Sequence, residues 1–225
     1  MKLYATQRKF FPDPRHALEE GIVEVSDDVR VERLFEAYSF GIFPWPQPNL
    51  PVLWFCPDPR GVLDFAQFHV PRSLHKAIVK SPLHCTFNRC FDLVVAACAR
   101  VPRPGQEGTW ISDRLCQAYG AFHRAGYAHS LEVWNGDDLV GGLYGVYVAG
   151  VFCGESMFYT QPNASKIAVV RLVECLRANG LQWMDIQMVT PVLEQMGGSY
   201  ISREDYLSRL ELAKARARAL DFTAL

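Results

Sequence analysis

A segment in which apolar and other residues alternate on both sides of a turn constrains this chain more than any other feature. The segment HSLEVWNGDDLVGGLYGVYVAGVFCGESMF, residues 129–158, contains two alternating stretches joined at Asn135-Gly136, and then a third stretch. Asn-Gly between two such stretches is a strong β-hairpin signal, because both residues tolerate the positive φ that the favoured turn requires. We therefore predict a β-hairpin followed by a third strand.

Helical patterns surround this hairpin. Four segments have apolar residues at helical spacing. The first, 31–38, has Ser26 to Asp28 as caps and Gly41 as a stop, and the second is 90–100. The third, 115–122, has Ser112 as a cap and Gly126 as a stop, and the fourth begins at Asn163 or Ser165 and ends at Asn179-Gly180. A capping box of Ser202 and Asp205 predicts a last helix to about Leu220. Strands, a packed helix, a further strand and a closing helix describe an α+β (mixed α/β) fold.

Prolines recur from Pro44 to Pro59 in GIFPWPQPNLPVLWFCPDPRG. Proline lacks the backbone N–H and fixes φ, so this stretch predicts an aromatic loop in place of a helix or a long strand. The aromatic side chains of the loop either plug a domain interface or form a stacking wall for a base or ring: Phe43, Trp45, Trp54 and Phe55. We predict a small N-terminal domain, 1–58, and a larger domain, 59–225.

The sequence WMDIQ, residues 183–187, places a carboxylate and an amide in an otherwise apolar strand. Side chains alternate along a strand, so Asp185 and Gln187 are predicted to project from the same face. Buried polar groups need hydrogen-bond partners. The pair is therefore either a satisfied structural pair or a polar site at the edge of a sheet.

The composition is that of an ordinary soluble protein, with 225 residues of which 49% are hydrophobic and 21% charged. No stretch approaches the roughly 20 apolar residues of a membrane helix, and no signal peptide is indicated, so we expect a cytoplasmic protein without a membrane partner. The seven cysteines are scattered without a C-x-x-C pair, which indicates reduced thiols. HCTFNRC, 84–90, lacks a second ligand pair, so no metal site is predicted.

The formal net charge of −1 does not by itself indicate a nucleic-acid-binding protein. Contact with phosphates would need a local patch. Two sets of cations are candidates, each with a solvated helix face as the alternative: Arg72, His75, Lys76 and Lys80, and, nearer the C-terminus, Lys214, Arg216 and Arg218.

Several motifs, in order, cover most of the chain from Phe40 to Leu207: GIFPWP with LWFCPDPRGVL, EGTWIS, HSLEVW with LVGGLYGV, FCGESMF with NASKIA, DIQ, and GGSYISREDYL. Together they resemble the bacterial leucyl/phenylalanyl-tRNA-protein transferases. That resemblance implies transfer of Leu or Phe, and less readily Met, from aminoacyl-tRNA to the N-terminal Arg or Lys of proteins, which marks them for degradation. It also implies an acetyltransferase-like (GNAT-type) C-terminal domain behind the small N-terminal domain, and no metal or nucleotide cofactor. We expect a monomer.

The resemblance also implies roles for individual residues. Asp185, Gln187 and Glu155 are the implied catalytic residues. Asp185 would polarise the incoming amine with Gln187 between them, or both would only orient the substrate. Glu155, placed after a strand and a glycine, would hold a cationic amino group or acceptor side chain, or form a salt bridge at the strand end.

Substrate contacts are implied in the same way. The pocket for Leu or Phe would use Leu143, Phe152, Met157 and Leu172, adenosine would stack on Trp45 and Trp110, and tRNA phosphates would meet Arg72, Lys76 and Lys80. Ordinary apolar packing is the alternative for each pocket residue. Such a pocket would separate Leu and Phe from β-branched residues by about 1 to 3 kcal/mol for each misfit methyl group.

Two departures from the family pattern stand in this sequence. Ser26 and Asp27 occupy positions where the family usually has Gly-Gly, and Val192 and Gln195 occupy positions of His and Ser. Val192 has no hydrogen-bonding group, so a different acceptor choice, N-terminal Asp or Glu, is the second enzymatic hypothesis. A non-enzymatic module that binds N-terminal residues is the third. An acyl-CoA transferase is disfavoured, because YTQPNAS, 159–165, lacks the glycines of a pyrophosphate-binding turn.

Overall fold

The computed structural model describes residues 2–47, 50–101 and 111–223. After a 3₁₀ turn at Pro14–His16, its helices are α1 Val31–Ser39, α2 Arg72–Lys80, α3 Phe91–Arg100, α4 Asp113–Arg124, α5 Ala164–Ala178, α6 Pro191–Glu194 and α7 Arg203–Lys214. Its strands are β1 Ile22–Val25, β2 Phe43–Trp45, β3 Leu53–Phe55, β4 Arg60–Asp64, β5 His84–Phe87, β6 Ala128–Asn135, β7 Asp138–Val148, β8 Val151–Tyr159, β9 Trp183–Gln187 and β10 Gly198–Ile201. The fold is mixed α+β.

The strands form two sheets. The smaller has the order β1-β3-β2, and the larger has the order β10-β4-β9-β8-β7-β6-β5. In the described chain, β8 and β9 form the parallel pair and the other neighbours are antiparallel. The parallel pair arises because α5 carries the chain back across the sheet between its two strands.

The predicted hairpin is confirmed, with its turn one residue later than the sequence indicated. Asn135 pairs with Asp138, so the two turn residues are Gly136 and Asp137. Gly136 has a φ of 59°, which a glycine adopts without strain. Strand β8 follows as the predicted third strand and pairs with β7.

Hydrophobic clusters cover both faces of the larger sheet. One cluster packs residues of α1, α3, α4 and α7 against the sheet, and the other packs residues of α2 and α5. The first cluster also includes residues of the smaller sheet, so the two sheets share a core. Among residues 2–47, 50–101 and 111–223, no helix has the length and apolarity needed to cross a membrane.

The predicted helices are present, but two of their ends were predicted wrongly. Helix α1 is capped by Arg30, whose side chain makes no cap hydrogen bond, and not by Ser26 to Asp28. Helix α7 ends at Lys214 and not near Leu220. The chain turns there because the tail docks on the end of α5, where Asp221 N donates to Asn179 Oδ1 at 2.7 Å.

The proline-rich stretch was predicted as a loop and instead supplies the short strands β2 and β3. Trp54 is fully buried, and its Nε1 donates to the carbonyl of Ser26 at 2.9 Å. Phe43 is also buried, whereas Trp45 and Phe55 are half-buried. The prolines limit these strands to three residues each but do not abolish pairing, because this segment packs its aromatic rings into the shared core.

Candidate active site

Strands β8 and β9 separate just beyond one paired position, and a pocket begins in the gap. Cys153 and Asp185 are the registered pair of these parallel strands. The register between β7 and β8 shifts between Tyr144 and Gly145, which leaves Glu155 as an unpaired bulge residue. A bulge redirects a side chain, and such bulges are common beside functional sites. Glu155 therefore lies within β8, and not after its end as the sequence indicated.

Gln187 bridges the gap at the end of β9. Its φ of 59° turns the backbone out of the strand conformation. The side-chain Nε2 donates to Glu155 Oε1 at 2.9 Å, and the backbone N–H donates to Asp185 Oδ1 at 2.9 Å. A left-handed conformation costs a non-glycine residue about 1 to 2 kcal/mol. These two hydrogen bonds offset that cost and fix the amide in place.

Asp185 belongs to a buried ion pair. Its Oδ1 accepts from Arg60 Nε at 2.9 Å, and its Oδ2 accepts from Arg60 Nη2 at 2.6 Å and from Tyr206 Oη at 2.9 Å. Neither partner of the ion pair has more than 1% of its side chain exposed. Burial disfavours the guanidinium charge, but Asp185 outweighs burial and raises the pKa of Arg60 well above its ordinary value. Both carboxylate oxygens are already occupied, and Asp185 does not line the pocket.

Glu155 is the carboxylate that reaches the pocket. It is half-buried, and its Oε2 accepts from Tyr119 Oη at 3.0 Å. Tyr119 Oη lies 2.7 Å from Tyr38 Oη. Burial raises the pKa of Glu155 to about 7, while the hydroxyls of Tyr38 and Tyr119 oppose that shift. The described residues give Glu155 no ion-pair partner, so the salt bridge considered from the sequence is not formed.

The pocket has a volume of about 370 Å³ and is mostly apolar. Its wall includes Leu143, Met157, Val169, Leu172, Met184 and Ile186. Glu155 is the carboxylate among the described lining residues, and Gln187 lies beside it. An apolar chamber with a few converging polar groups is the usual form of a small-molecule site.

Most residues implied for substrate binding meet at this pocket. Four of them line it: Leu143, Met157, Leu172 and Trp45. The Trp45 ring also packs edge-on against the Phe55 ring, at a centroid distance of 5.9 Å. Two implied residues differ. Phe152 is 1% exposed and lies in the core without lining the pocket, and Trp110 lies outside the described residues.

The cations implied for tRNA lie on one exposed helix. Arg72, Lys76 and Lys80 are exposed on α2, which is anchored by buried Leu74. The second candidate patch is not a uniform cationic face, because Lys214 is buried and bonded to Glu211 at 2.6 Å.

Val192 and Gln195 lie beside a smaller cavity of about 130 Å³, together with Lys166 of α5 and residues at the start of α2. Helix α6 separates this cavity from the main pocket, because its Leu193 lines the main pocket instead. Val192 and Gln195 therefore lie next to the site and not in it.

Cys153 is a poor nucleophile in this environment. Its side chain is buried, and burial raises the pKa of the thiol well above its ordinary value. Thiolates, not thiols, are nucleophiles. Within the described ranges, no group of three His, Cys, Asp or Glu side chains is placed to hold a metal.

Sequence reasoning missed four residues that organise the site. Each of the four is at most 2% exposed. They are Arg60 on β4, Tyr38 on α1, Tyr119 on α4 and Tyr206 on α7. Arg60 and Tyr206 lie inside motifs quoted above, PDPRGVL and GGSYISREDYL, but nothing local pairs either with Asp185. Tyr38 and Tyr119 lie in the predicted helical segments 31–38 and 115–122, whose apolar spacing gives no sign of a partner for either hydroxyl. Partners so distant in sequence become visible only in the folded chain.

Comparisons with known proteins give a consistent result. A family model described as leucyl/phenylalanyl-tRNA protein transferase matches residues 62–211, and one described as the N-terminal domain of that protein matches residues 27–58. The leucyl/phenylalanyl-tRNA–protein transferase of Pseudoalteromonas atlantica is 49% identical over 205 residues, which is 90% of this chain and 87% of that protein. The protein of the same name from Anaeromyxobacter sp. strain K is 46% identical and covers 94% of this chain and 88% of its own.

A solved structure, that of L-PGS from Bacillus licheniformis, is similar at 10% identity and a TM-score of 0.41. It covers 66% of this chain and 47% of that one. A likeness at this level does not assign a fold family.

Proposed function

This chain belongs to the leucyl/phenylalanyl-tRNA–protein transferase family, a family of enzymes that move an aminoacyl group from tRNA to protein, and we propose that it transfers Leu or Phe, and less readily Met, to proteins that begin with Arg or Lys. The modified proteins are thereby marked for degradation. Because aminoacyl-tRNA is the donor, the cytoplasm is the proposed compartment, and the chain acts as a monomer without a cofactor. The hypothesis of a non-enzymatic module is set aside by the family assignment.

The observation that carries the proposal is the position of Glu155, a carboxylate beside Gln187 at the wall of an apolar pocket. The apolar wall suits a Leu or Phe side chain, and Trp45 offers a ring for the terminal adenosine. The carboxylate suits the amine that must come next to the aminoacyl ester. Arg72, Lys76 and Lys80 suit tRNA phosphates, since such contacts need charge but no base recognition.

The reaction needs little beyond position, because the ester is already activated. The acceptor α-amine attacks the ester carbonyl carbon, a C–N bond forms, and the C–O bond to the tRNA 3′ oxygen breaks. Glu155 accepts one proton from the amine as the C–N bond forms, and that proton is returned to the departing 3′ oxygen. The Gln187 amide holds Glu155 at the gap between the strands.

Asp185 acts as a positioning residue in this scheme. It holds the backbone N–H of Gln187, and through Arg60 it ties β9 to β4. Because its oxygens are occupied and buried, the geometry supports the orienting role over the role of a base.

We also propose that residues 1–58 form a small N-terminal domain and 59–225 an acetyltransferase-like domain. The change from the smaller to the larger sheet between Phe55 and Arg60 supports the boundary. The β8-α5-β9 unit inside a mostly antiparallel sheet supports the second assignment.

Transfer of radiolabelled Leu and Phe from charged tRNA to peptides that begin with Arg, Lys, Asp, Glu or Ala tests the proposal. We expect transfer to Arg and Lys peptides only. Transfer to Asp or Glu would show the altered acceptor choice that Val192 leaves open, and no transfer to any peptide would contradict the proposed function.

A further inference from the structure

A line of buried hydroxyl groups runs behind the pocket to Glu155. Tyr38 on α1 is 2% exposed and Tyr119 on α4 is 0% exposed, yet their hydroxyl oxygens lie 2.7 Å apart. Tyr119 has one hydroxyl proton, and it is donated to Glu155 Oε2 at 3.0 Å. While Glu155 is ionised it can only accept, so Tyr119 donates to it and Tyr38 donates to Tyr119. In that state the line runs from Tyr38 through Tyr119 to Glu155.

The two oxygens of the Glu155 carboxylate accept hydrogen bonds from different donors. Tyr119 donates to Oε2, and Gln187 donates to Oε1 at 2.9 Å. An ionised carboxylate accepts both hydrogen bonds, whereas a protonated one would donate its proton to the Tyr119 hydroxyl and reverse the direction of the line. Both donors therefore favour the ionised form.

We propose that Tyr119, with Tyr38 behind it, is a positioning residue that keeps the Glu155 carboxylate ionised and aimed into the pocket as a proton acceptor. This inference rests on the proposed function of Glu155. It also gives the N-terminal part of the chain a role at the site, because Tyr38 lies on α1.

Among the described groups considered around Glu155, only Glu155 itself is expected to change charge near neutral pH. Arg60 and Asp185 neutralise each other as an ion pair. Burial raises the pKa of Tyr38, Tyr119, Tyr206 and Cys153 well above their ordinary values, so all four stay neutral. Burial also raises the pKa of Glu155 to about 7, and the tyrosine hydroxyls limit that rise. Removing a donated hydrogen bond from a carboxylate disfavours its charged form, so loss of the Tyr119 hydroxyl moves the titration of Glu155 to higher pH.

The test is the pH profile of kcat/KM for wild type and Tyr119→Phe with one acceptor peptide, so that the titration of the peptide amine is common to both. The low-pH limb is expected to move up by about one pH unit, since a hydrogen bond to a charged group contributes about 1.5 kcal/mol. Tyr38→Phe, which leaves the Tyr119 bond in place, is expected to shift the limb in the same direction. Tyr147→Phe removes a buried hydroxyl that donates to Arg218 O, away from Glu155, and is expected to leave the limb unmoved.

A second readout does not depend on turnover. The infrared band of the protonated carboxyl group that disappears in Glu155→Gln reports the titration of Glu155 directly, and its midpoint should move by the same amount in Tyr119→Phe. A uniform loss of activity at every pH with no shift in either midpoint would overturn the proposal. If Tyr119→Phe does not fold, an unmoved midpoint in Tyr38→Phe overturns it. A shifted infrared midpoint in a protein that transfers nothing would support the role of Tyr119 and contradict the proposed function instead.

Discussion

Gln187 donates its side-chain amide to Glu155 across the gap where β8 and β9 separate, at 2.9 Å. The two strands share one registered pair, Cys153 and Asp185, and this hydrogen bond joins them where backbone pairing has ended. Because β8 and β9 pair at one registered position, their separation exposes the Glu155 carboxylate and the Gln187 amide to the apolar pocket without breaking a long ladder of backbone hydrogen bonds. The chemistry proposed above depends on this opening.

Gln187→Asn should disable the bridge while keeping the backbone. Asparagine tolerates a left-handed φ but is one methylene too short to reach Glu155. A hydrogen bond to a charged group contributes about 1.5 to 3 kcal/mol, so kcat/KM is expected to fall about tenfold to a hundredfold. Steady-state transfer assays measure this, with Gln67→Asn on the exposed surface as the control. Equal activity of the two variants would show that the bridge is not used.

Asp185→Asn should act on stability through Arg60. The substitution leaves a guanidinium that is 1% exposed without its counter-charge, wedged at 4.6 Å from the Phe43 ring centroid. Breaking one partner of a buried ion pair costs about 3 to 5 kcal/mol. Glu174→Gln removes the exposed pair with Arg171 and should cost under about 1 kcal/mol. Urea unfolding compares the two, and similar losses would contradict the structural role assigned to the buried pair.

Met157→Phe should change which amino acid is transferred. Met157 lines the pocket wall, and a rigid ring there reduces the space for a second ring. Transfer of Phe is expected to fall about tenfold relative to Leu, because a misfit of one methylene group changes binding by about 1 to 3 kcal/mol. The Leu rate of the same variant is the internal control. An unchanged Phe to Leu ratio would show that the side chain is bound elsewhere.

The exposed cations of α2 should set the salt dependence of tRNA binding. Each lost phosphate contact lowers the slope of log affinity against log salt by about one. Lys76→Gln combined with Lys80→Gln is therefore expected to weaken Leu-tRNA and Phe-tRNA binding equally and to flatten the slope. Lys2→Gln combined with Lys9→Gln changes the same charge on the exposed N-terminal segment and should do neither. A slope that stays at the wild-type value would place the tRNA on another face.

Local patterns were enough to predict much of the fold. The Asn-Gly turn, the stop at Asn179-Gly180 and the capping residue Ser112 predicted the hairpin, α5 and the start of α4, because short-range hydrogen bonds and φ preferences decide such features. The end of α7 was not predictable, because the tail leaves the helix to bond Asn179, 42 residues away from Asp221 in sequence.

The candidate site was predictable in part from local sequence patterns. Asp185 and Gln187 were recognisable as polar residues in an apolar strand, and the family resemblance identified Glu155. Their different tasks depend on partners that the sequence does not pair. Arg60 lies 125 residues from Asp185, and Tyr119 lies 36 residues from Glu155. A bulge in β8 then redirects Glu155 in a way that strict alternation does not predict. Gly145 allows this bulge, because a Cβ at that position would collide with the Cys153 carbonyl oxygen.

Single-turnover transfer of Phe from charged tRNA to an Arg-initiated peptide, by wild type and Glu155→Gln, tests the role of Glu155 most directly. Glutamine keeps the size of the side chain but cannot accept the amine proton as a carboxylate does. A positioned general base contributes about 10²- to 10⁴-fold, so the transfer rate should fall at least a hundredfold while the affinity for Phe-tRNA is kept. A transfer rate within a few-fold of wild type would contradict the assignment of Glu155 as the proton acceptor.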